Sequence, residues 1–295
     1  MRRLMKNNFE GEIKTNMTKT IIKDLTISQI ETMDFSSLVG LVREPNMCSG
    51  GYETIRTIIK ESNLKPNARI LEVGSNTGFS CIEFASTLPN AEVVGIDINP
   101  ISVEFSKNKA LKNNLENVEF YCSDGTALMF EDNSFDLVFC SNVTSFIQDR
   151  EQAIKEYIRV LKPGGILAAA PIYYREIPPY PVKSAVEEAI AAKIDVWDRQ
   201  YWEQSFEKHA LQLYFSDDFK YIKSTDSEIE NYTNMVMGQS HLAEYDESLK
   251  LAMRKRLKYF YDLFDENLTY AGFSVLLYRY KAANQEPMLH KTCRV

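Results

Sequence analysis

Positive charge is in deficit. The chain has 34 Lys and Arg against 41 Asp and Glu, a net charge of −7 over 295 residues. Tight binding to a phosphate backbone needs clustered cations, so nucleic acid is not an expected partner. Cysteine is also sparse. Cys48, Cys81, Cys122, Cys140 and Cys293 are scattered, odd in number and never spaced as Cys-x-x-Cys. That excludes a disulfide framework or a thiolate zinc site and points to free thiols in a cytoplasmic protein. The three histidines, His209, His241 and His290, form no metal-ligand spacing, so no metal is expected. No run of 18 apolar residues exists, which excludes a hydropathic membrane span. Residues 1–20 read as a tail, without the apolar run of a signal peptide. Met17 is a second candidate start.

What is present is an alternation of strand and helix. Apolar residues at helical spacing predict a helix over 27–43, ended by Pro45, and another over 52–62. Strands follow at 69–73, 92–96, 118–122, 135–141 and 166–171, with helices at 77–88, 100–113 and 150–161 between them. β-Branched strands that are apolar on both faces belong in a parallel sheet covered by helices. The fold class is therefore doubly wound α/β. Past Pro171 the rhythm breaks. A Tyr- and Pro-rich loop covers 173–181, a helix is expected over 185–213 and a strand over 219–226. A long helix at 241–265 and a last strand GFSVLLYRY at 272–280 complete the pattern. Trp197, Tyr201, Trp202 and Phe206 form a stripe expected to pack into a core.

The first strand runs into an open turn, Glu72-Val73-Gly74-Ser75-Asn76-Thr77-Gly78. Carboxyl strand ends that meet a helix N-terminus are where open α/β sheets bind ligands. A dinucleotide fingerprint would need glycine at 76 and 79, where Asn76 and Phe79 stand. A phosphate-binding loop would need Gly-Lys-Ser/Thr, but Gly78 is followed by Phe79-Ser80. Both phosphate readings fail, which leaves a ligand without phosphates.

Four features in order resemble class I S-adenosylmethionine-dependent methyltransferases over about residues 66–171. These are the Glu72–Gly78 turn, Asp97 ending the second strand 25 residues on, Cys122-Ser123-Asp124-Gly125 after the third strand, and Arg159-Val-Leu-Lys-Pro-Gly-Gly165. Asn76 departs from the family's middle glycine. The resemblance implies a seven-stranded, Rossmann-like, mostly parallel sheet with an antiparallel last strand and helical cap insertions. It implies a helical lid over 21–64, a cofactor core over 65–172, an aromatic substrate cap with one core strand over 173–270, a final strand over 271–282 and a tail over 283–295.

The implied cofactor is S-adenosyl-L-methionine, with S-adenosyl-L-homocysteine as product. The implied cofactor residues are Glu72, Gly74, Ser75, Asn76, Gly78, Asp97, Ile98, Ser123, Asp124, Gly125 and Asn142. Asp97 would take the ribose hydroxyls, Asp124 the adenine amino group, and Glu72 would balance the methionine amino group. Pro163-Gly164-Gly165 is expected to shape a turn without touching ligand. Asp132 and Asp136 are expected to be solvated turn acids.

Asn142, Tyr173 and Tyr52 are the catalytic candidates, with Tyr174 and Arg175 as further pocket candidates. No general base is evident, which leans toward N-methylation over an acceptor that must first lose a proton. The absence of a metal cluster disfavours a magnesium-dependent catechol mechanism, and the scattered cysteines disfavour arsenic methylation. The expected activity is in-line methyl transfer to N or O of a small molecule, by a cytoplasmic protein with a homodimer as candidate assembly. Methylation of RNA or protein, or a non-catalytic cofactor-binding domain, are the alternatives.

Overall fold

The computed structural model describes residues 25–281. They fall into two compact units. An α/β unit comprises Glu44–Lys183, Ile194–Lys223 and the chain from Glu266 on. A helical unit comprises the chain up to Arg43, Ser184–Lys193 and Ser224–Asp265. The expected tail over 1–20 lies outside the described residues.

In the α/β unit, helix α3 (Gly51–Ser62) precedes β1 (Arg69–Val73), α4 (Phe79–Thr87), β2 (Glu92–Asp97) and α5 (Pro100–Lys112). Then come β3 (Val118–Cys122), β4 (Phe135–Cys140), a 3-10 turn (Asn142–Phe146), α6 (Arg150–Val160), β5 (Leu161–Ala169) and β6 (Ile172–Tyr174). Helix α8 (Arg199–Glu207), β7 (Leu211–Lys220) and β8 (Ala271–Tyr280) complete it. Strands β3-β2-β1-β4-β5 are parallel in that order, and β8 joins β5 antiparallel. Strand β7 lies antiparallel on the other side of β8.

Among the described residues there are eight strands where seven were expected. The pairings Ala169↔Leu276 and Ile172↔Phe273 share one register, so β6 continues β5 past Pro171 along the same edge of β8. Pro171 lacks an N–H for the ladder, which is why the strand is interrupted there. Laid out this way the sheet has seven positions, with β8 and β7 the antiparallel ones.

Two apolar layers cover the sheet. One includes Ile55, Ile58, Phe84, Phe120 and Phe139. The other includes Tyr157, Trp202, Phe206, Leu276 and Tyr278. Of the aromatic stripe, Trp202 and Phe206 are core, while Trp197, before α8, and Tyr201 are half-buried against it.

The helical unit holds α1 (Ile27–Thr32), α2 (Phe35–Val42), α9 (Asp226–Met237) and most of α10 (Glu247–Leu268). Helix α7 (Tyr180–Ala189) ends in it. Its core is Ile30, Leu38, Val236, Met253, Leu257 and Phe260. Among the described residues no helix is long and apolar enough to cross a membrane.

Several expected elements are corrected. The helix over 27–43 is two, because the Asp34 carboxylate accepts from Ser37 N at 2.9 Å and starts a new helix after Met33. The helix over 185–213 is the second half of α7, a loop, α8 and the start of β7. Asp198 caps α8 by accepting from Tyr201 N at 2.8 Å, and Ala210 turns left-handed at φ +30° into the strand. The strand expected over 219–226 therefore ends at Lys220, and Thr225 opens α9 with a capping box to Glu228. The long helix begins at Glu247, with His241 in a preceding 3-10 turn. Tyr173 and Tyr174, expected in a loop, are in β6. Asp136 is not a solvated turn acid: it accepts from Arg69 N at 2.8 Å and Lys162 Nζ at 2.7 Å. Asp132 pairs with Arg159 at 2.7 Å.

Candidate functional site

The turn from β1 into α4 is held from below by β2. Gly74 N and Ser75 N both donate to Ile96 O at 2.8 Å. Asn76 N donates to Asp97 Oδ2 at 2.9 Å, and Asn99 N donates to Asp97 Oδ1 at 2.8 Å. One carboxylate thus fixes two loops, and each of its oxygens keeps a lone pair. Ser106 Oγ donates to Asn76 O at 2.8 Å, tying the turn to α5.

Asn76 has φ +42°, in the left-handed region. Asn is the residue other than glycine that visits this region most readily, so the turn keeps its path despite the departure from the family pattern. Gly74 is constrained twice. Its φ is +75°, and a Cβ there would lie 2.4 Å from Val143 Cγ2. Val143 belongs to the 3-10 turn after β4, so two strand-end loops are laid directly on each other.

Glu72 is 3% exposed. It accepts from Cys81 N at 3.1 Å and Cys81 Sγ at 2.9 Å. Burial outweighs these donors and lifts its pKa from 4.5 to about 7. The Cys48 thiol is pushed up to about 12 by burial and by the Glu72 charge. Glu72 thus holds its proton more tightly than an ordinary carboxyl, under the first turn of α4. Ser75, also 3% exposed, has a buried hydroxyl without a hydrogen-bond partner among the described residues.

The third strand end adds a half-open rim. Ser123 N donates to Asp97 O at 3.1 Å. Asp124 Oδ1 accepts from Thr126 N and Thr126 Oγ1, both at 2.8 Å, an Asx turn that leaves Oδ2 uncommitted and the side chain exposed. Gly125 is buried against Val73. Ile98 is 73% exposed immediately after Asp97, a large apolar side chain on the same rim.

The three catalytic candidates are placed differently. Asn142 Oδ1 accepts from Ser145 Oγ at 2.8 Å and from Ile172 N at 3.1 Å, joining the β4 turn to β6. Tyr52 is 49% exposed and sits edge-on to Phe79, centroids 4.9 Å apart, beside the Gly78 turn. Tyr173 is only 6% exposed. The Ser274 hydroxyl lies 2.5 Å from Asp218 Oδ1 and 3.3 Å from the Tyr173 oxygen. It has one proton, so it donates to the carboxylate and accepts from the phenol. Arg199 Nε donates to the same Asp218 oxygen at 2.8 Å. Among the described residues no hydrogen bond or ring contact joins Tyr52 to Tyr173.

Val143, Ser274 and Asp218 were not found from sequence. Val143 carries no chemical signal, and the other two meet Tyr173 only through pairing of β6, β7 and β8. The Arg159 segment is structural. Its guanidinium donates to Leu128 O at 3.0 Å and Phe130 O at 2.9 Å and pairs with Glu156 and Asp132. His209 faces Glu151 at 3.0 Å and His241 Nε2 lies 3.3 Å from Leu41 O. Among the described residues no cluster could hold a metal ion.

These loops have counterparts in known proteins. The chain is 32% identical over 117 residues to phosphoethanolamine N-methyltransferase 1 of Arabidopsis thaliana, covering 40% of this chain and 23% of the plant protein. It is 34% identical over 126 residues to the ubiquinone/menaquinone biosynthesis C-methyltransferase UbiE of Ectopseudomonas mendocina (strain ymp), covering 41% and 49%. The chain thus spans at most about half the length of these curated relatives. Among solved structures, the MccD protein superposes with a TM-score of 0.68 at 24% identity, over 80% of this chain and all of that one. Phosphoethanolamine N-methyltransferase 2 of Haemonchus contortus superposes with a TM-score of 0.60 at 18% identity, over 79% and 54%. Likeness at that identity shows the fold alone. A family model described as a methyltransferase domain matches residues 64–240, most of the chain and all of the loops above. The chain belongs to that family, the class I S-adenosylmethionine-dependent methyltransferases.

Proposed function

We propose that this chain transfers a methyl group from S-adenosylmethionine to nitrogen or oxygen of a small-molecule acceptor, by in-line displacement. One observation carries the reading: a single carboxylate, Asp97, pins the Gly74–Gly78 turn while both its oxygens keep acceptor capacity. The residues present fit an adenosyl sulfonium. Asp97 would take the two ribose hydroxyls, and Ile98 offers an apolar face beside it for a flat base. Asp124 Oδ2 is open to an amino group. The buried Ser75 hydroxyl would gain the partner it lacks from the amino-acid end. No lysine or arginine lies in the Glu72–Gly78 turn to meet a diphosphate.

The bound sulfonium supplies an already activated methyl group. The chain's own residues need only orient an acceptor and exclude water, and orientation alone contributes up to ~7–11 kcal/mol. In this reading Asn142, after β4, and Tyr173, in β6, would orient the acceptor and Tyr52 would wall it. The name of the plant relative speaks of an amine acceptor. An amine also suits a site without an evident histidine base. The unbridged thiols of Cys48, Cys81, Cys122 and Cys140 support a cytoplasmic setting.

Calorimetry with S-adenosylhomocysteine, then a labelled-methyl assay on metabolite pools, tests the reading. Binding followed by label in an N- or O-methyl product supports it. Binding without transfer to any pool marks a non-catalytic cofactor-binding domain, and no binding rejects the cofactor. Label in RNA or protein rejects the small-molecule acceptor.

A further inference from the structure

Arg150, the first residue of α6, joins three separate segments. Its Nη1 donates to Ile147 O at 3.1 Å and reaches Ser145 O at 3.5 Å, at the far end of the turn that begins with Asn142. Its Nε donates to Tyr201 Oη at 3.2 Å. Its guanidinium lies over the Trp197 ring at 4.1 Å from the centroid, and Trp197 stacks on Tyr201 at an interplanar angle of 8°. Trp197 in turn accepts from Tyr174 N at 2.9 Å through its carbonyl.

These contacts close a loop of interactions. The β4 turn is tied to β6 at its near end by Asn142 and Ile172. It is tied to β6 at its far end by Arg150, Trp197 and Tyr174. Tyr173 sits between the two ties, and Val143, between the same two on the turn, lies on Gly74. We infer that Arg150 is a positioning residue, whose clamp on Trp197 and Tyr201 makes the turn over Gly74 and the β6 segment carrying Tyr173 move as one body.

The task is specific to arginine. It needs a planar cation that stacks on an indole while its edge donates in two directions. A lysine ammonium supplies a point charge without the plane or the fork. Nothing in the clamp touches a reacting atom, so its effect on methyl transfer is indirect and rests on the cofactor reading above.

The test compares full-length Arg150→Lys, Arg150→Ala, Tyr201→Phe and Trp197→Leu with the parent, by amide hydrogen exchange and by titration with S-adenosylhomocysteine. Exchange is read first, without cofactor. The expected result is faster exchange in both 143–147 and 172–174 in each variant, although 172–174 is not bonded to Arg150. Faster exchange in 143–147 alone overturns the inference. Affinity for S-adenosylhomocysteine is expected to fall about tenfold in Arg150→Lys, and in Arg150→Lys/Trp197→Leu by no more than in the stronger single variant. Coupled exchange with unchanged affinity overturns it too, because Arg150 would then stabilise without positioning. If the parent itself binds no S-adenosylhomocysteine, the cofactor reading fails while the exchange result still decides the coupling. Tyr201→Phe keeps the ring stack and removes one acceptor, so it reports on the clamp if Arg150→Ala does not fold.

Discussion

Val143 occupies the space that a side chain on residue 74 would need. The glycine after β1 is therefore demanded from inside the protein as well as by any ligand outside it. That separates two consequences of replacing it.

Gly74→Ala should destabilise by about 2–5 kcal/mol, from the left-handed φ and the clash with Val143 together. Gly74→Ala/Val143→Gly should relieve the clash, which Val143→Ala would not because the Val143 Cβ itself lies 2.5 Å from the new Cβ, and keep the backbone strain. Denaturant unfolding of the three proteins checks this. Equal stability of the single and double variants would mean the turn yields instead of clashing.

Glu72 should make stability fall as pH rises. Its folded pKa, about 7, lies above the ordinary 4.5. The protonated form therefore favours the folded state, fully below about pH 4.5, and that contribution is lost as pH rises to 7. The loss is about 3 kcal/mol relative to Glu72→Gln, which does not titrate. Unfolding free energies of both proteins from pH 4 to 8 should diverge across that window, with the parent less stable at the top.

Asp97→Asn leaves one oxygen where two amides now donate, and turns an NH2 toward one of them. Affinity for S-adenosylhomocysteine should fall at least about tenfold, since a charge-assisted bond at the turn is lost. Calorimetry reads it. An unchanged affinity would show that the Asn76 turn holds without the carboxylate.

Ser274→Ala should cost about 1–3 kcal/mol, because it strands the buried Tyr173 phenol, while Asp218 keeps Arg199. Tyr173→Phe should cost less, since it removes only the end of the chain. The order of the two midpoints in urea is the measurement, and the reverse order would place the strength of the network at the phenol.

Periodicity was enough to place β1 to β4, short apolar runs bounded by turns, but β5, expected from 166, begins at Leu161, because residues 162–165 bulge against β4 between the Phe135↔Leu161 and Leu137↔Ile166 pairings. The site's backbone was legible for the same reason: Glu72, Gly74, Asn76 and Asp97 lie at strand ends whose spacing is local. Beyond Pro171 the signal failed. Leu211 to Lys220 is a strand buried along one face only, and β8 supplies its pairing from sixty residues away. Local propensity read its start, 211–213, as the end of a helix. The helix over 27–43 was divided by a capping interaction of Asp34, which periodicity alone does not weigh. Tyr173 was singled out from its place after β5, but its partners Ser274 and Asp218 converge on it only through sheet pairing. Arg150 had no marking beyond its charge.

The uninterrupted register of β5 and β6 across Pro171 sets a parity rule for this part of the chain. One residue inserted between Ala170 and the proline would exchange the faces of Ile172 and Tyr173, sending the phenol to the wrong layer and leaving Ser274 behind. Two inserted residues would restore the facing but slide the pair along β8. Variation in this segment is therefore open to substitution and closed to changes of length.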